Sequence, residues 1–464
     1  MDAINSIDVD FLPRDEEPLY LVGGTVRDLL CGQKPVDIDL TTEGQLDRMA
    51  KKIAATLDGK IIHLGNHEVP VLRVVSPKHI IDISPLSGGC IEEDLMRRDF
   101  TINAMAYDLN KSKLVDCLEG QKDLKQKKIR MVSNHIFKSD PARLIRAFRM
   151  AASFGFSMTN ETKTEISRQR GLISTVSAER IWPELVKLLK ASHATHIVRE
   201  MAELGLLISL IPEIEPSIGC RQNHHHQHDV FEHSLRGLEQ VDRLLSNDDR
   251  CASTFTPLLT SGNLSDVLYL LKYSALLHDI GKPAVRTVDE DGMVHFPGHA
   301  TKSAKIASAI SARLQLSNQE KRISDAIIRH HIRPLFLFLA SQKGTLGSRG
   351  IIRFFKHCGD LTPAVLAHAI ADIRAKKESM ENRDERFIVF CHHLAVLYDD
   401  ALTKQNTTAR LLNGHDLMSE LGLQPSPTLK LLLNRVDEFR LAGLMTTRDQ
   451  ALKWVESYLN KHRT

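Results

Sequence analysis

Tyr20 to Thr42 reads YLVGGTVRDLLCGQKPVDIDLTT, and the interpretation of the whole chain starts there. The apolar run Leu19-Tyr20-Leu21-Val22 predicts a buried strand. Gly23 and Gly24 follow, and the residues from Val26 through Arg27, Asp28 and Leu29 to Leu30 predict a helix. Two glycines at a strand-to-helix turn let the backbone approach a ligand closely, and the amides at a helix start favour an anion such as a phosphate. Farther on, Val36-Asp37-Ile38-Asp39-Leu40 alternates apolar and acidic residues. Residues two apart in a strand share a face, which predicts Val36, Ile38 and Leu40 pointing inward and both carboxylates pointing the other way. Paired hard oxygen ligands suit Mg²⁺, which takes one or two carboxylates together with substrate phosphates. Taken singly, a Gly-Gly is ordinarily only a turn, and an acidic–apolar alternation only a half-exposed strand. Closely spaced and in this order, they are the equipment of phosphoryl or nucleotidyl transfer.

Downstream, Leu46 to Leu57 has helical spacing, and Lys60–His63, Val71–Val75 and Ile80–Ile83 read as strands. Asp82, on the last of these, is a candidate neighbour of Asp37 and Asp39. Glu92 to Ala106, EEDLMRRDFTINAMA, sets paired arginines beside acids. An arginine held in place by an acid can clamp phosphate or ribose oxygens; the plainer reading is a surface ion pair at a helix start. Leu114–Cys117 and Lys128–Val132, on either side of a turn at Gly120, predict a short hairpin closing this region. Beyond His135 the pattern becomes nearly continuous helix. Asp140 before Pro141 has the form of a helix start, with Asp as cap and Pro in the first turn. Arg143, Arg146 and Arg149 then recur every three residues, with Leu144 and Phe148 on the other side.

The combination GGTVRD followed by DID, together with EEDLMRRDFTINAMA, resembles the nucleotidyltransferase family of tRNA nucleotidyltransferases and bacterial poly(A) polymerases (class II, bacterial type). The resemblance implies that Asp37 and Asp39 hold Mg²⁺ and carry catalysis, and that Gly23, Gly24, Arg27 and Arg98 hold the triphosphate and sugar. The segment SDPARLIRAFR resembles the family's EDxxR element. By that likeness Asp140 and Arg143 read the base edge, and Arg146 and Arg149 help hold the nucleotide. An Asp accepts from an exocyclic amine and an Arg donates to ring acceptors, so C and A are chosen over U and G. Ser139 stands where many relatives have Glu. SAERIWPELVKLL, Ser177 to Leu189, is similar to the family's next helix and is expected to pack, with Glu179, Arg180 and Glu184 as internal ties. One departure concerns the connection from the Asp82 strand to Glu92, which is only Ser84 to Ile91. Many relatives that add all of CCA carry a longer flexible loop there, so the short one points toward CC-only or A-only addition.

Composition sets outer limits. At 464 residues the chain exceeds one compact core, and two to four domains are expected. Aromatic content of 5% argues against a base-stacking platform, and a formal charge of +3 means that any nucleic-acid surface is local. Gln121 to Arg130 is one basic candidate, more simply read as a solvated connector. Seven cysteines with no CxxC pair suit reduced, buried thiols and a cytoplasmic protein. The acidic N-terminal segment has no apolar core of a signal peptide, and no apolar run nears the roughly 18 residues of a membrane span.

A second constellation lies in the later half. His233, His278-Asp279 within LLHDIGKP, and Asp372 form the ordered set H…HD…D of the HD phosphohydrolase superfamily, which the segment resembles. The resemblance implies that His233, His278, Asp279 and Asp372 hold a divalent transition metal. His299 and either His330 or His331 match the extra histidines of binuclear members. Asp325 and Asp360 compete with Asp372 for the last position, and His224-His225-His226-Gln227-His228 reads as a solvated loop. Gly414 to Met418 and the LGLQPSP that follows are similar to C-terminal segments of HD-containing tRNA nucleotidyltransferases, and Thr447 with Gln450 predicts a capping box before the final helix.

The expected fold is therefore α+β: a small mixed-sheet nucleotidyltransferase head, 1–135, then a mostly α-helical body. The body divides into a nucleotide-recognition neck, 136–215, an HD domain, 216–384, and a C-terminal tRNA-binding region, 385–464. The expected reaction is addition of C and/or A from CTP and ATP to the tRNA 3′ end, with no membrane partner. Three alternatives stay open: a poly(A) polymerase, an HD phosphohydrolase with a degenerate head, and a non-catalytic RNA-binding protein.

Overall fold

The strands expected near the start join one sheet, in a computed structural model that describes residues 11–13, 17–65, 70–192, 194–223, 226–244, 246, 249–260, 268–407 and 409–461. The strands are β1 (Leu19–Val22), β2 (Ile38–Thr42), β3 (Lys60–Gly65), β4 (Pro70–Val75), β5 (Ile80–Pro85), β6 (Ala106–Asp108) and β7 (Lys113–Val115). Their order is β3-β4-β5-β2-β1-β6-β7, with β2 and β5 parallel and the other pairs antiparallel. Leu19 and Leu21 of β1, Ile38 and Leu40 of β2, and Ile81 and Ile83 of β5 share a core with Val26 of helix α1 (Gly24–Leu30) and Ile53 of helix α2 (Leu46–Leu57). Tyr20 and Val22 pack on the other side with Ile91 and Leu95 of helix α3 (Ile91–Met96). Covered on both faces, β1 is apolar throughout. Asp39 alternates with Ile38 and Leu40 and so lies on the α3 side.

Two local expectations are corrected. β2 begins at Ile38, in register with Ile81, so Asp37 precedes the strand and Val36 is 91% exposed instead of pointing inward. Pro35, which has no amide hydrogen, stands just ahead. The hairpin across Gly120 does not form either. Asp116 accepts the amides of Gly120 and Gln121 at 2.7 and 3.0 Å, a capping arrangement that starts a helix, Gly120–Lys125. β7 pairs with β6, and Lys128–Ile129 pairs in parallel with Ser157–Met158.

Helices Arg143–Phe154, Asn160–Gln169, Ala178–Lys190 and Ala194–Glu203 complete the first compact unit, Met1–Leu210. The second unit, Ile211–Thr464, is built largely of helices, among them Val230–Leu244, Leu268–Leu277, His299–Arg313, Asn318–His330, Thr362–Ala375 and Asn382–Thr407. Its last helices, Gly414–Leu421, Pro427–Leu441 and Arg448–Lys461, gather Leu417, Leu432, Val436, Ala451 and Val455 into a small core of their own. Thr447 and Gln450 form the expected reciprocal cap, each amide reaching the other side chain at 3.3 Å. Among the described residues no helix is long and apolar enough to cross a membrane.

Candidate active site and a histidine–aspartate centre

Gly23 joins β1 to α1 with φ +65° and ψ −131°, a conformation that glycine alone adopts easily. A Cβ there would stand 3.0 Å from Arg98 Nη1 and 3.5 Å from Asp39 Oδ2; at Gly24 it would meet Arg27 Nη2 at 3.4 Å and Asp39 Oδ2 at 3.7 Å. The glycine turn is thus where the backbone, Asp39 and two guanidinium groups converge. Gly23→Ala is expected to cost about 1–3 kcal/mol through backbone strain. By displacing Arg98 it should also lower kcat/KM for nucleotide about a hundredfold. Thermal melts and steady-state kinetics check both.

Asp39 is held from behind. Its amide donates to Thr25 Oγ1 at 2.7 Å, and the same hydroxyl donates to the Asp37 carbonyl at 3.5 Å, stapling the acidic segment to α1. Burial pushes the Asp39 carboxyl up to about 6, and Asp37 and Asp82 add to the shift while Arg98 and Arg27 oppose it. Such a cluster of mutually repelling carboxylates suits a divalent cation. Arg98 Nε and Nη2 both donate to Asp94 Oδ2, at 3.0 and 2.8 Å, which fixes the guanidinium toward Gly23. Arg27 donates to Asp28 Oδ1 at 2.9 and 2.6 Å and to Asn103 Oδ1 at 2.7 Å, and it lies over the Phe154 ring at 4.4 Å.

The arginine stripe divides in its contacts. Arg143 Nη2 donates to the Arg97 carbonyl at 3.0 Å and Nη1 to the Arg98 carbonyl at 3.4 Å, so the segment expected to read the base abuts the one expected to hold the sugar. Asp140 accepts from Ala142 N at 3.2 Å and from Arg180 Nη2 at 2.8 Å on each oxygen. Regular helix starts at Arg143, just past that cap-like contact. Arg146 and Arg149 turn to Glu184, at 3.2 and 2.9 Å, and Arg146 also donates to Asp99 at 3.3 Å.

In the second unit, His233, His278, Asp279 and Asp372 bring one ligand atom each to within 4.8 Å of one another, and Asp279, His299 and His331 form a second such set. His233 Nε2 lies 2.9 Å from Asp372 and 3.4 Å from Asp279; His278 Nε2 lies 3.1 Å from Asp279. His278, His299 and His331 each direct Nδ1 to a backbone carbonyl three residues earlier, at 2.8, 2.9 and 2.7 Å. That fixes the tautomer and aims Nε2 at the acids, the usual outer support of a metal-binding histidine. Burial keeps His233 low, and with the neighbouring His278 it takes His331 down to about 3, which leaves both neutral as ligands must be. Burial opposes charge on Asp279 too, yet His278 and Lys282 hold it well below the carboxylate range. His278 Nε2 and Asp279 Oδ1 are buried with no hydrogen-bond partner, and this donor set fits a divalent metal. Of the two neighbouring histidines, His331 joins the second set and His330 is in neither. Asp372 takes the last position, while Asp325 is paired with Arg329 and Asp360 with Arg322. Gly281 packs against the helix that carries His299: a Cβ would meet Ser303 N at 2.4 Å.

The chain matches the family model described as the Poly A polymerase head domain over residues 19–130, that for a probable RNA and SrmB-binding site of polymerase A over 155–218, and that for the HD domain over 230–345. It is 31% identical over 445 residues to an A-adding tRNA nucleotidyltransferase of Deinococcus radiodurans, covering 94% of this chain and 95% of that protein. The chain belongs to the tRNA nucleotidyltransferase/poly(A) polymerase family. A CC-adding tRNA nucleotidyltransferase of Thermus thermophilus is a further relative of this family, 28% identical over 449 residues, with 95% of this chain and 93% of that protein covered. The fold is also that of a Thermotoga maritima CCA-adding enzyme complexed with tRNA, at a TM-score of 0.67 and 20% identity, with 98% and 97% of the two chains covered.

Several supporting residues have no role of their own assigned by the family motifs. Thr25 and Asp94 fix Asp39 and Arg98; the i,i+4 spacing of Asp94, on α3, and Arg98, just past its end, was a readable signal. At the histidine–aspartate centre, Lys282 Nζ reaches Asp279 at 2.6 Å, and His368 packs its ring 5.0 Å from His278. His226 is no solvated loop residue: its ring lies 5.1 Å from that of His233, and burial drives its pKa down to about 2. His224 and His225 lie outside the described residues.

Proposed function

We propose that the chain is a template-independent tRNA nucleotidyltransferase that adds C and/or A to the tRNA 3′ end from CTP and ATP. The observation that carries this reading is the convergence of Gly23, Gly24, Arg27, Arg98 and Asp39 at one strand-to-helix turn. The near full-length likeness to nucleotidyltransferases supports it. In this reaction the terminal RNA hydroxyl attacks the α-phosphorus. A new P–O bond forms, the α–β anhydride bond breaks, and pyrophosphate and the hydroxyl proton leave. Asp37 and Asp39 would hold Mg²⁺, whose charge lowers the hydroxyl pKa and stabilises the leaving group. Thr25 keeps the two acids in register, and Arg98, braced by Asp94, faces the triphosphate and sugar. Asp140 and Arg143 select the base; Arg146 and Arg149 support that surface through Glu184. Head, neck, HD domain and C-terminal region take the limits 1–135, 136–215, 216–384 and 385–464, with the last gripping tRNA through shape and phosphates. Free thiols at Cys31, Cys90, Cys117, Cys220, Cys251, Cys358 and Cys391 support work in the reducing cytoplasm.

Which nucleotides are added is tested on tRNA transcripts ending at the discriminator base, after C, and after CC, given CTP, ATP or both, with the new ends sequenced. The short Ser84–Ile91 connection predicts partial synthesis: either CC on the first two transcripts or a single A on the third. Long A tracts on any RNA would make the chain a poly(A) polymerase instead.

A second activity is favoured by one observation. Asp279, Asp372, His299 and His331 line a cleft of about 330 Å³ whose walls include Lys282, Lys376, Arg383, Phe296 and Phe338. With a divalent transition metal bound, such a site supplies activated water against phosphomonoesters or 2′,3′-cyclic phosphates. Release of phosphate from phosphomonoesters, or opening of 2′,3′-cyclic phosphates to phosphomonoesters, by metal-loaded protein tests it.

A further inference from the structure

A row of side chains crosses the head sheet at the level of Asp39. Asp39 on β2 is in register with Asp82 on β5, and Asp82 with Arg73 on β4. Paired residues here project from the same face: two residue-pairs along, beyond the oppositely directed Leu40 and Ile83, Thr41 and Ser84 touch through their hydroxyls at 3.3 Å. Neighbouring strands are about 4.8 Å apart, so Asp82 stands one strand from Asp39, within reach of an ion held there. Both of its oxygens are nonetheless taken. Arg73 Nε donates to Oδ1 and Nη2 to Oδ2, each at 2.7 Å, the two-pronged geometry that fixes a carboxylate plane.

We propose that Arg73 is a positioning residue that withholds Asp82 from the metal, so that the centre is built from two carboxylates and not three. This rests on Asp37 and Asp39 being the Mg²⁺ ligands. The consequence is chemical. Three carboxylates would hold a divalent ion tightly on the bare protein, blunt its pull on the α-phosphate, and occupy a position that a phosphate oxygen or the attacking hydroxyl needs. Two leave the ion under-coordinated until the triphosphate arrives. The pair is also partly exposed, with side chains at 35% and 20%, so it can be altered without opening the core.

The test is Mn²⁺ binding to the full-length protein without nucleotide, read by the free-ion paramagnetic resonance signal. Each variant is compared with its own Asp39→Asn counterpart, which subtracts binding at the histidine–aspartate centre. Arg73→Met is expected to tighten Mn²⁺ binding about tenfold by releasing Asp82. Asp82→Asn should weaken it about tenfold, because the unpaired guanidinium is then left beside Asp39. The double variant should return to within about twofold of wild type, and Arg73→Lys should fall between wild type and Arg73→Met. No tightening in Arg73→Met overturns the proposal, as does tightening that survives in the double variant. A double variant as weak as Asp82→Asn alone would make Asp82 a ligand and also overturn it. If Asp39→Asn leaves wild-type Mn²⁺ binding unchanged, the failure lies with the assignment of the ligands and not with Arg73.

Discussion

Asp39→Asn is expected to abolish nucleotide addition while making the metal-free protein more stable. The first effect follows from losing one of the two carboxylates assigned to Mg²⁺, and a fall of about three orders of magnitude in kcat is anticipated. The second follows from the carboxyl itself, which burial, with the help of Asp37 and Asp82, pushes up to about 6. A carboxyl whose folded pKa is raised contributes stability that is fully present below the unfolded value and is lost as pH rises through the folded one. The window therefore runs from about 4 to about 6, and at neutral pH the ionised Asp39 costs about 2–3 kcal/mol. Asparagine removes that cost. In melts without metal at pH 7.5 the variant should unfold at a higher temperature than wild type, and the gap should close at pH 4. Added Mg²⁺ should raise the wild-type melting temperature and leave that of the variant where it was. A variant that is inactive and also less stable at neutral pH would mean that Asp39 is a packing residue in a polar niche.

The second large effect is expected at Asp279. It is 1% exposed, and its carboxylate is the common neighbour of Lys282 at 2.6 Å, His278 at 3.1 Å, His233 at 3.4 Å and His299 at 3.5 Å. Asp279→Asn keeps the shape and removes the charge, stranding the buried Lys282 ammonium without its counter-ion. Breaking a buried pair from one side costs about 3–5 kcal/mol, which for a body of this size is a drop of roughly 10 °C in melting temperature. Metal content after purification should fall as well, since Asp279 belongs to both ligand sets. Every residue assigned to nucleotide addition lies in the first unit, so that activity should persist below the new melting point. Metal analysis, calorimetry and the addition assay separate these outcomes.

How much of this was readable in the sequence depended on whether the signal was local. The histidine–aspartate cluster was legible because a contiguous His278-Asp279 anchors it and only the distant partners had to be found; the fold gathers Asp372 with them, while Asp325 and Asp360 pair with nearby arginines. The choice between His330 and His331 was not legible, since it depends on which ring the helix end turns inward. Alternation correctly put Asp39 opposite Ile38 and Leu40, but a period of two says nothing about where pairing begins, and Val36 was carried into a strand that starts two residues later. Gly120 reads as a turn in the sequence because its capping partner, Asp116, falls in a strand-like run. The arginine stripe was seen, but Glu184, which binds Arg146 and Arg149, lies on another helix at a distance that no periodicity reports. Arg73 is the clearest case of what a sequence conceals: an arginine in a strand is unremarkable until the register sets it across from Asp82.

The central claim is that the Asp37–Asp39 site transfers C or A to the end of a tRNA. The most direct measurement incubates tRNA transcripts with truncated 3′ ends with Mg²⁺ and each α-labelled nucleoside triphosphate in turn, using wild-type protein and Asp39→Asn side by side. Label from CTP, ATP or both is expected on the wild-type reactions, none from UTP or GTP, and none at all with the variant. Absence of transfer by the wild-type protein, or equal transfer by Asp39→Asn, would contradict it.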